Sequence, residues 1–317
     1  MGRDLRNTDP NRVHIITCRT ACAELMLIPD AELTETVGGI IAKYQNVYDI
    51  TIYDGIILGN HYHFLVQAAE GALPSFAENV NREIAKRVNR LLLRQGCFWG
   101  RRYDDLITIE ETDALEGLLY ISTNAVKHGL VTHPRHWPGF KLYHQLRGAK
   151  PKEYRFINYT EYHRAKRIAA NHGKYVHRSD YETIYTLEIT PIPIFAGLSA
   201  EERHLKLDKL TEERTAKLVR ERREAGKSFL GRKNILAQKR QGTFPNEVSK
   251  SPRPPCYTKN REARNEYREY KDQVRAQYSE ASKKFRSGYY NAVSLFPPFC
   301  LLPPLHHIPK DRHTEHQ

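Results

Sequence analysis

Two histidines, His61 and His63, stand two residues apart in the stretch GNHYHFLV. If that stretch is a strand, side chains two apart project from one face, and both imidazoles can reach a single metal ion. The spacing alone is a weak signal: with 15 histidines in 317 residues, roughly one His-x-His arises by chance. The setting is stronger, because the pair follows a Gly59-Asn60 turn and opens a β-rich run. A pair of buried structural histidines is the competing reading.

Tyr120 is the second group. The chain has 19 tyrosines, and most must be core or surface residues without chemistry. On a helical wheel, however, Leu115, Leu118, Ser122, Ala125 and Val126 centre on one side, while Glu116, Tyr120, Asn124 and Lys127 lie on the other. A tyrosine on the polar side offers an available hydroxyl, or is simply a solvent-exposed side chain. Asn124 follows one turn later on the same face, where its amide oxygen can complete a metal site with the two histidines.

Two further patterns carry less. Ala225-Gly226-Lys227-Ser228 has the ending of a phosphate loop, but Glu221 occupies the place of the required glycine and the flanks read as charged helix. No nucleotide cofactor and no ATP-driven motor is therefore expected. His306, His307, His313 and His316 belong to a Pro- and His-rich tail that is expected to drape or fray rather than to form a site.

The elements that must position these groups read as an α+β domain over residues 1–140. Residues 13–20 (VHIITCRT) predict a strand, and Pro29-Asp30 precedes a helix over 31–48. The β-rich run 49–58 and the strand 61–67 form a hairpin about Gly59-Asn60. A helix over 75–95 places Phe76, Val80, Ile84, Val88 and Leu91 inward and leaves Arg82, Lys86, Arg87, Arg90 and Arg94 on the surface. Residues 99–109 read as extended, and a helix over 113–128 stops at Gly129. Residues 141–317 read as a basic, mostly helical and less globular extension with a Pro-rich tail. It holds a strand over 181–190 and a helix opened by the capping box Ser199–Glu202. A loop follows over 240–257, then a helix over 259–287 with an apolar packing stripe from Ala263 to Phe285.

Lys and Arg number 50 against 37 Asp and Glu, a formal net charge of +13. That excess favours a polyanionic partner, most simply nucleic acid. Five scattered cysteines, Cys18, Cys22, Cys97, Cys256 and Cys300, complete no zinc pattern and read as reduced thiols. No apolar run approaches a membrane span and MGRDLRNTDPNR has no apolar leader core, so a soluble, cytoplasmic protein is expected.

Three stretches in this order resemble the single-tyrosine HUH transposases, and among them the REP-associated tyrosine transposases. Residues 13–20 (VHIITCRT) are similar to the family's first strand, ending in a basic residue, here Arg19. Residues 59–66 (GNHYHFLV) resemble the Pro-Asn-His-x-His-Leu-Leu segment, and residues 118–131 (LLYISTNAVKHGLV) resemble the Tyr-Ile-x-x-Asn-Pro-Val-x-x-Gly-Leu-Val helix. The match covers about residues 10–140. Tyr62 stands where the family has an aliphatic residue, and Gly59 and Ala125 replace prolines; none of these removes a chemical group. The resemblance implies a ferredoxin-like antiparallel sheet with both histidines on a central strand. It also implies Tyr120 as nucleophile, His61 and His63 as ligands of a divalent ion such as Mg²⁺ or Mn²⁺, and Asn124 as the third, polar ligand.

The chemistry suits these residue types. A phosphodiester is anionic and repels nucleophiles, and a divalent metal neutralises it. Two imidazole ligands argue for tolerance of Mn²⁺ beside Mg²⁺. A phenol is a weak nucleophile until its proton is lost, so Tyr120 needs the metal's proximity or, less directly, Lys127 or Glu116. Attack leaves a 5′-phosphotyrosine and a free 3′-hydroxyl, so a strand is rejoined without ATP. Arg19, Arg82, Lys86, Arg90, Arg101, Arg102 and Lys127 are candidates to hold single-stranded or hairpin DNA, by a monomer or homodimer; each is otherwise a solvated surface charge. Two other functions compete: a replication initiator or relaxase of related chemistry, and a non-catalytic DNA-binding protein descended from a transposase.

Overall fold

Asp30 ends its loop in extended conformation and accepts a hydrogen bond from the Leu33 amide at 2.7 Å, which caps helix α1 (Ala31–Tyr48). The helix stops at Asp49, whose backbone is left-handed at φ 49°. Before it comes strand β1 (His14–Arg19), and after it the hairpin β2 (Thr51–Ile57) and β3 (His61–Gln67), closed by a 2.8 Å bond from the Leu58 amide to the His61 carbonyl. Helix α2 (Ala72–Leu91) and the short strand β4 (Asp104–Ile107) complete the unit. This computed structural model describes residues 5–6, 8–148, 150–240 and 254–303.

The sheet order is β2-β3-β1-β4, with every neighbouring pair antiparallel. That is the expected ferredoxin-like β-α-β-β-α-β arrangement, with β3 central. Strand alternation sends Tyr62, Phe64 and Val66 into one core with α1 and α2. Leu65 and Ile15 face the other way, into a core built with helix α3 (Glu111–Ser122) and the short helix α4 (Asn124–Lys127). His61 and His63 share the face of Leu65.

Several expectations need correction. The helix expected over 113–128 is two helices, because Thr123 (φ −96°, ψ 7°) interrupts it and its hydroxyl bonds back to the Leu119 carbonyl at 2.6 Å. The helix expected to reach residue 95 ends at Leu91, with Leu93 left-handed at φ 49°. Arg87 is buried rather than on the surface: its guanidinium lies 4.2 Å from the Phe156 ring centre and 3.1 Å from Glu83.

The second part of the chain is more globular than its composition suggests. Strand β5 (Lys152–Ile157), helix α5 (Tyr159–Ala170) and strand β6 (Glu182–Leu187) form a two-stranded ribbon with a helix in its connection. The ribbon lies on α1, and Tyr154, Phe156 and Leu187 join the α1/α2 core. Gly38 and Gly39 permit this approach, since a Cβ at the first would overlap the Tyr154 ring and at the second the Arg155 carbonyl oxygen. Helix α6 (Ala200–Glu224), opened by the expected Ser199–Glu202 capping box, packs on α3 and α4. Helix α7 (Arg232–Leu236) adds Ile235 to that second core. Helix α8 (Arg261–Arg286) buries Ala281 and Phe285 at its end but leaves Tyr270 exposed, so the expected stripe packs over only part of its length. His306, His307, His313 and His316, and most of the loop expected over 240–257, lie outside the described residues. All five cysteines are free, and no described helix is long and apolar enough to cross a membrane.

Candidate functional site

The antiparallel register sets His63 opposite Thr17 and His61 opposite Arg19. The two imidazoles meet edge to face with ring centroids 4.9 Å apart. Each is held by one nitrogen. The Thr17 hydroxyl lies 2.6 Å from His63 Nδ1, and the Asn60 side-chain oxygen lies 2.6 Å from His61 Nδ1. Neither Nε2 atom has a hydrogen-bond partner among the described residues, which leaves both for a ligand.

Burial, together with the positive charge of neighbouring Arg19, holds both imidazoles neutral. His61 is driven well below the usual histidine range by burial first, then by His63, His128 and Arg19. His63 is pushed down to about 3 by burial, His128, Arg19 and Lys127. Neutral imidazole is the metal-binding form.

Helix α3 delivers Tyr120 to this pair. Its ring stands edge-on to His63 with centroids 5.4 Å apart, and its hydroxyl makes no hydrogen bond among the described residues. The Lys127 ammonium lies 4.6 Å from the centre of the same ring. The polar side of the wheel is divided: Tyr120 turns toward the sheet histidines, Glu116 meets Arg214 of α6, and Lys127 remains exposed. Asn124 is fully buried rather than exposed. Neither its carbonyl oxygen nor its amide nitrogen has a hydrogen-bond partner among the described residues. An orphaned carboxamide costs roughly 1–3 kcal/mol, so it needs a reason.

His128 extends the constellation: its ring lies 5.6 Å from that of His61. It was absent from the sequence expectation, although Tyr120, Asn124 and His128 recur at four-residue steps. Thr17 and Asn60 were missed as well, because only strand register and turn geometry bring them to the histidines. Asp54 was missed for the same reason. It accepts from the Ser122 hydroxyl at 2.7 Å and from the Gly55 amide at 2.7 Å, tying the end of α3 to β2 two residues beyond Tyr120.

The C-terminal half also reaches the site. Tyr257 bonds through its amide to the Ile107 carbonyl and sets its ring 6.4 Å from Tyr120. Burial pushes its phenol up to about 12. Glu116, one turn before Tyr120, accepts from Arg214 at 3.0 Å and from Lys259 at 2.9 Å. Burial alone would raise its carboxyl, but these two partners outweigh it and hold it down. Glu116 is therefore a bound carboxylate and not a free base for Tyr120.

The seven candidate DNA contacts divide into two groups. Arg19 is exposed beside His61 and forms no ion pair among the described residues; Lys127 lies over Tyr120; Arg101 and Arg102 follow the bridge that joins Thr20 to Trp99. Arg101 is engaged by Asp104 at 2.6 Å. Arg82, Lys86 and Arg90 lie on α2, across the sheet from the histidines. Tyr62, between the two histidines, also points that way and donates to Asn81 at 2.9 Å.

Among the described residues no three His, Cys, Asp or Glu side chains stand together as a metal cage. A divalent ion here would take His61 and His63 and complete its shell with neutral oxygen. The two free Nε2 atoms and the orphaned Asn124 carboxamide fit that requirement.

No family model matches the chain, and no curated protein matches it. Several solved chains are similar, two of them as follows. One is a REP-associated tyrosine transposase bound to a REP hairpin, at 22% identity over 48% of this chain and 87% of that one, with a TM-score of 0.37. The other, provisionally described as a transposase, is from Deinococcus radiodurans R1, at 16% identity over 37% of this chain and 91% of that one, with a TM-score of 0.28.

Proposed function

We propose that the protein is a metal-dependent single-strand DNA endonuclease and strand transferase of the single-tyrosine transposase kind, acting on hairpin or palindromic DNA. The observation that carries this reading is the edge contact of Tyr120 with His63, made while both histidine Nε2 atoms stay free. The contact sets a phenol, which is a nucleophile once deprotonated, beside two neutral imidazoles of the kind that bind metal.

His61, His63 and Asn124 would hold the ion, which supplies charge neutralisation at the phosphate. Arg19 and Lys127 stand beside the histidines and draw the anionic strand to them, while burial and these two cations hold His128 below the usual histidine range, so it adds a neutral imidazole. Tyr120 attacks phosphorus through its phenolic oxygen, loses its proton and expels the 3′-oxygen. A 5′-phosphotyrosine and a 3′-hydroxyl result, and reversal of the step joins a new strand. Residues 1–140 would form the nuclease unit, with residues 141–317 as an extension that covers α1 on one side and α3 on the other.

The test is a denaturing gel with 5′-labelled and 3′-labelled hairpin-bearing single strands, Mn²⁺ or Mg²⁺, and the Tyr120→Phe variant. The wild type should carry the strand 3′ of the cut as a covalent adduct, and Tyr120→Phe should lose it while still binding DNA. An adduct that survives in Tyr120→Phe would overturn the assignment and direct attention to Tyr257. Tight binding without cleavage on every hairpin would favour a non-catalytic descendant.

A further inference from the structure

On the face of the sheet away from Tyr120, a cleft of about 230 Å³ runs between α1 and α2 and is roofed by the end of β5 and the first turn of α5. Its walls alternate cations with aromatic rings. The Lys43 ammonium lies 4.0 Å from the Phe156 ring centre, and the guanidinium carbons of Arg87 and Arg90 lie 5.2 Å and 5.8 Å from that of Tyr159. Tyr159 is half-buried and stacks on His163, with centroids 5.9 Å apart and planes 20° from parallel.

The charge in the cleft is not cancelled. Of the two carboxylates that line it, Glu83 is engaged by Arg87 and Glu32 is exposed in the first turn of α1. Lys86 and Arg90 are exposed at the mouth, where Lys86 touches the Thr160 hydroxyl and Arg90 bonds His163 at 2.7 Å. Burial and then Arg90, Lys166, Lys86 and Arg167 depress the His163 imidazole. Helix α5 itself buries no residue, so its basic side chains are presented to solvent rather than used in packing.

Lysine and arginine interleaved with stackable rings is the chemistry that holds an unpaired strand: phosphates pair with the cations and bases lie on the π-faces. A duplex would meet only the charges, because its bases are already stacked. We infer that the α1/α2/α5 cleft is a second nucleic-acid site, which takes an unpaired nucleotide of a single strand with its base against Tyr159 and its phosphates on Lys86 and Arg90. The site does not require Tyr120 or the histidines, and it lies on the opposite face of the sheet from them. It therefore engages a different stretch of DNA from the one being cut.

The experiment uses full-length Tyr120→Phe protein, so that cleavage plays no part. A fluorescent dT12, a blunt hairpin whose loop is a non-nucleotide linker so that it has no unpaired base, and free thymidine monophosphate are compared by anisotropy. The dT12 should bind the more tightly of the two DNAs, and Tyr159→Ala should weaken dT12 about tenfold while changing the hairpin little. Lys86→Glu with Arg90→Glu should weaken both DNAs and flatten the salt dependence of binding. Photocrosslinking of 5-iododeoxyuridine in the same oligonucleotide should label Tyr159 or His163, read by mass spectrometry with melting curves confirming folded variants. Unchanged dT12 affinity in Tyr159→Ala, or crosslinks confined to the Tyr120 face, would overturn the site. Thymidine monophosphate binding as tightly as dT12 would identify a free-nucleotide pocket and overturn the strand assignment.

Discussion

The side-chain oxygen of Asn60 lies 2.6 Å from Nδ1 of His61, and the amide nitrogen of Asn60 donates to the Ala23 carbonyl at 3.0 Å. The second bond orients the first. With its nitrogen committed to Ala23, Asn60 can offer His61 only an acceptor, so the imidazole carries its proton on Nδ1 and presents a lone pair on Nε2. The Gly-Asn turn that closes the β2–β3 hairpin thereby also selects the tautomer of a candidate metal ligand.

Asn60→Ala should therefore loosen metal binding without removing a ligand. A loss of about 10-fold to 100-fold in Mn²⁺ affinity is expected, measured by calorimetry, with a largely retained fold. Affinity equal to the wild type would mean that His61 is not a ligand or that its tautomer is irrelevant.

Asn124→Leu should act in opposite directions with and without metal. Replacing a buried, unpaired carboxamide by an apolar side chain of similar size should stabilise the metal-free protein by about 1 kcal/mol. The same change should abolish most of the melting-temperature rise produced by Mn²⁺. A variant that is destabilised without metal and still stabilised by it would remove Asn124 from the ligand set.

Asp54 makes stability depend on pH. Burial pushes its carboxyl up to about 7, against the pull of the Ser122 hydroxyl, the Gly55 amide and Arg147. Its folded-state affinity for the proton exceeds that of the unfolded chain, so the associated stability is fully present below about pH 4 and is lost as pH rises through about 7. Asp54→Asn keeps the shape and removes the titration. Urea unfolding at pH 5 and pH 8 should show a pH difference about 2 kcal/mol smaller in the variant. Equal differences in the two proteins would place the Asp54 proton elsewhere.

Gly39→Ala should strain the contact of the β5–β6 ribbon with α1, since the new Cβ meets backbone and not a movable side chain. A loss of about 1–3 kcal/mol is expected, with faster amide exchange confined to residues 152–187. No destabilisation would mean that the ribbon shifts away at little cost.

Much of this architecture was legible because its signals are local. Alternation in 13–20, the Asp30 cap and the Gly59-Asn60 turn mark β1, α1 and the hairpin, and strand alternation alone puts His61 beside His63. The gaps have physical reasons. Thr17 and Asp54 acquire roles only through pairing with residues far along the chain, and no periodicity records that. Tyr257 comes to Tyr120, and Arg214 and Lys259 to Glu116, from a part of the chain that reads as charged helix and loop. Strand β5 and helix α5 did leave signs, an alternation of polar and aromatic residues in KEYRF and an Asn158 whose side chain accepts from the Glu161 amide, but both are short and weak beside the charge around them.

Gly38 and Gly39 have a consequence for ancestry. Two adjacent glycines weaken a helix by about 1 kcal/mol each relative to alanine, and nothing within α1 repays that. Their justification lies more than a hundred positions downstream, in the ribbon that rests on them. In a lineage lacking residues 152–187 the pair would be a pure liability and should drift to alanine or larger. The Gly-Gly step thus makes sense only beside the ribbon, and among relatives of this chain the two should be inherited or lost together.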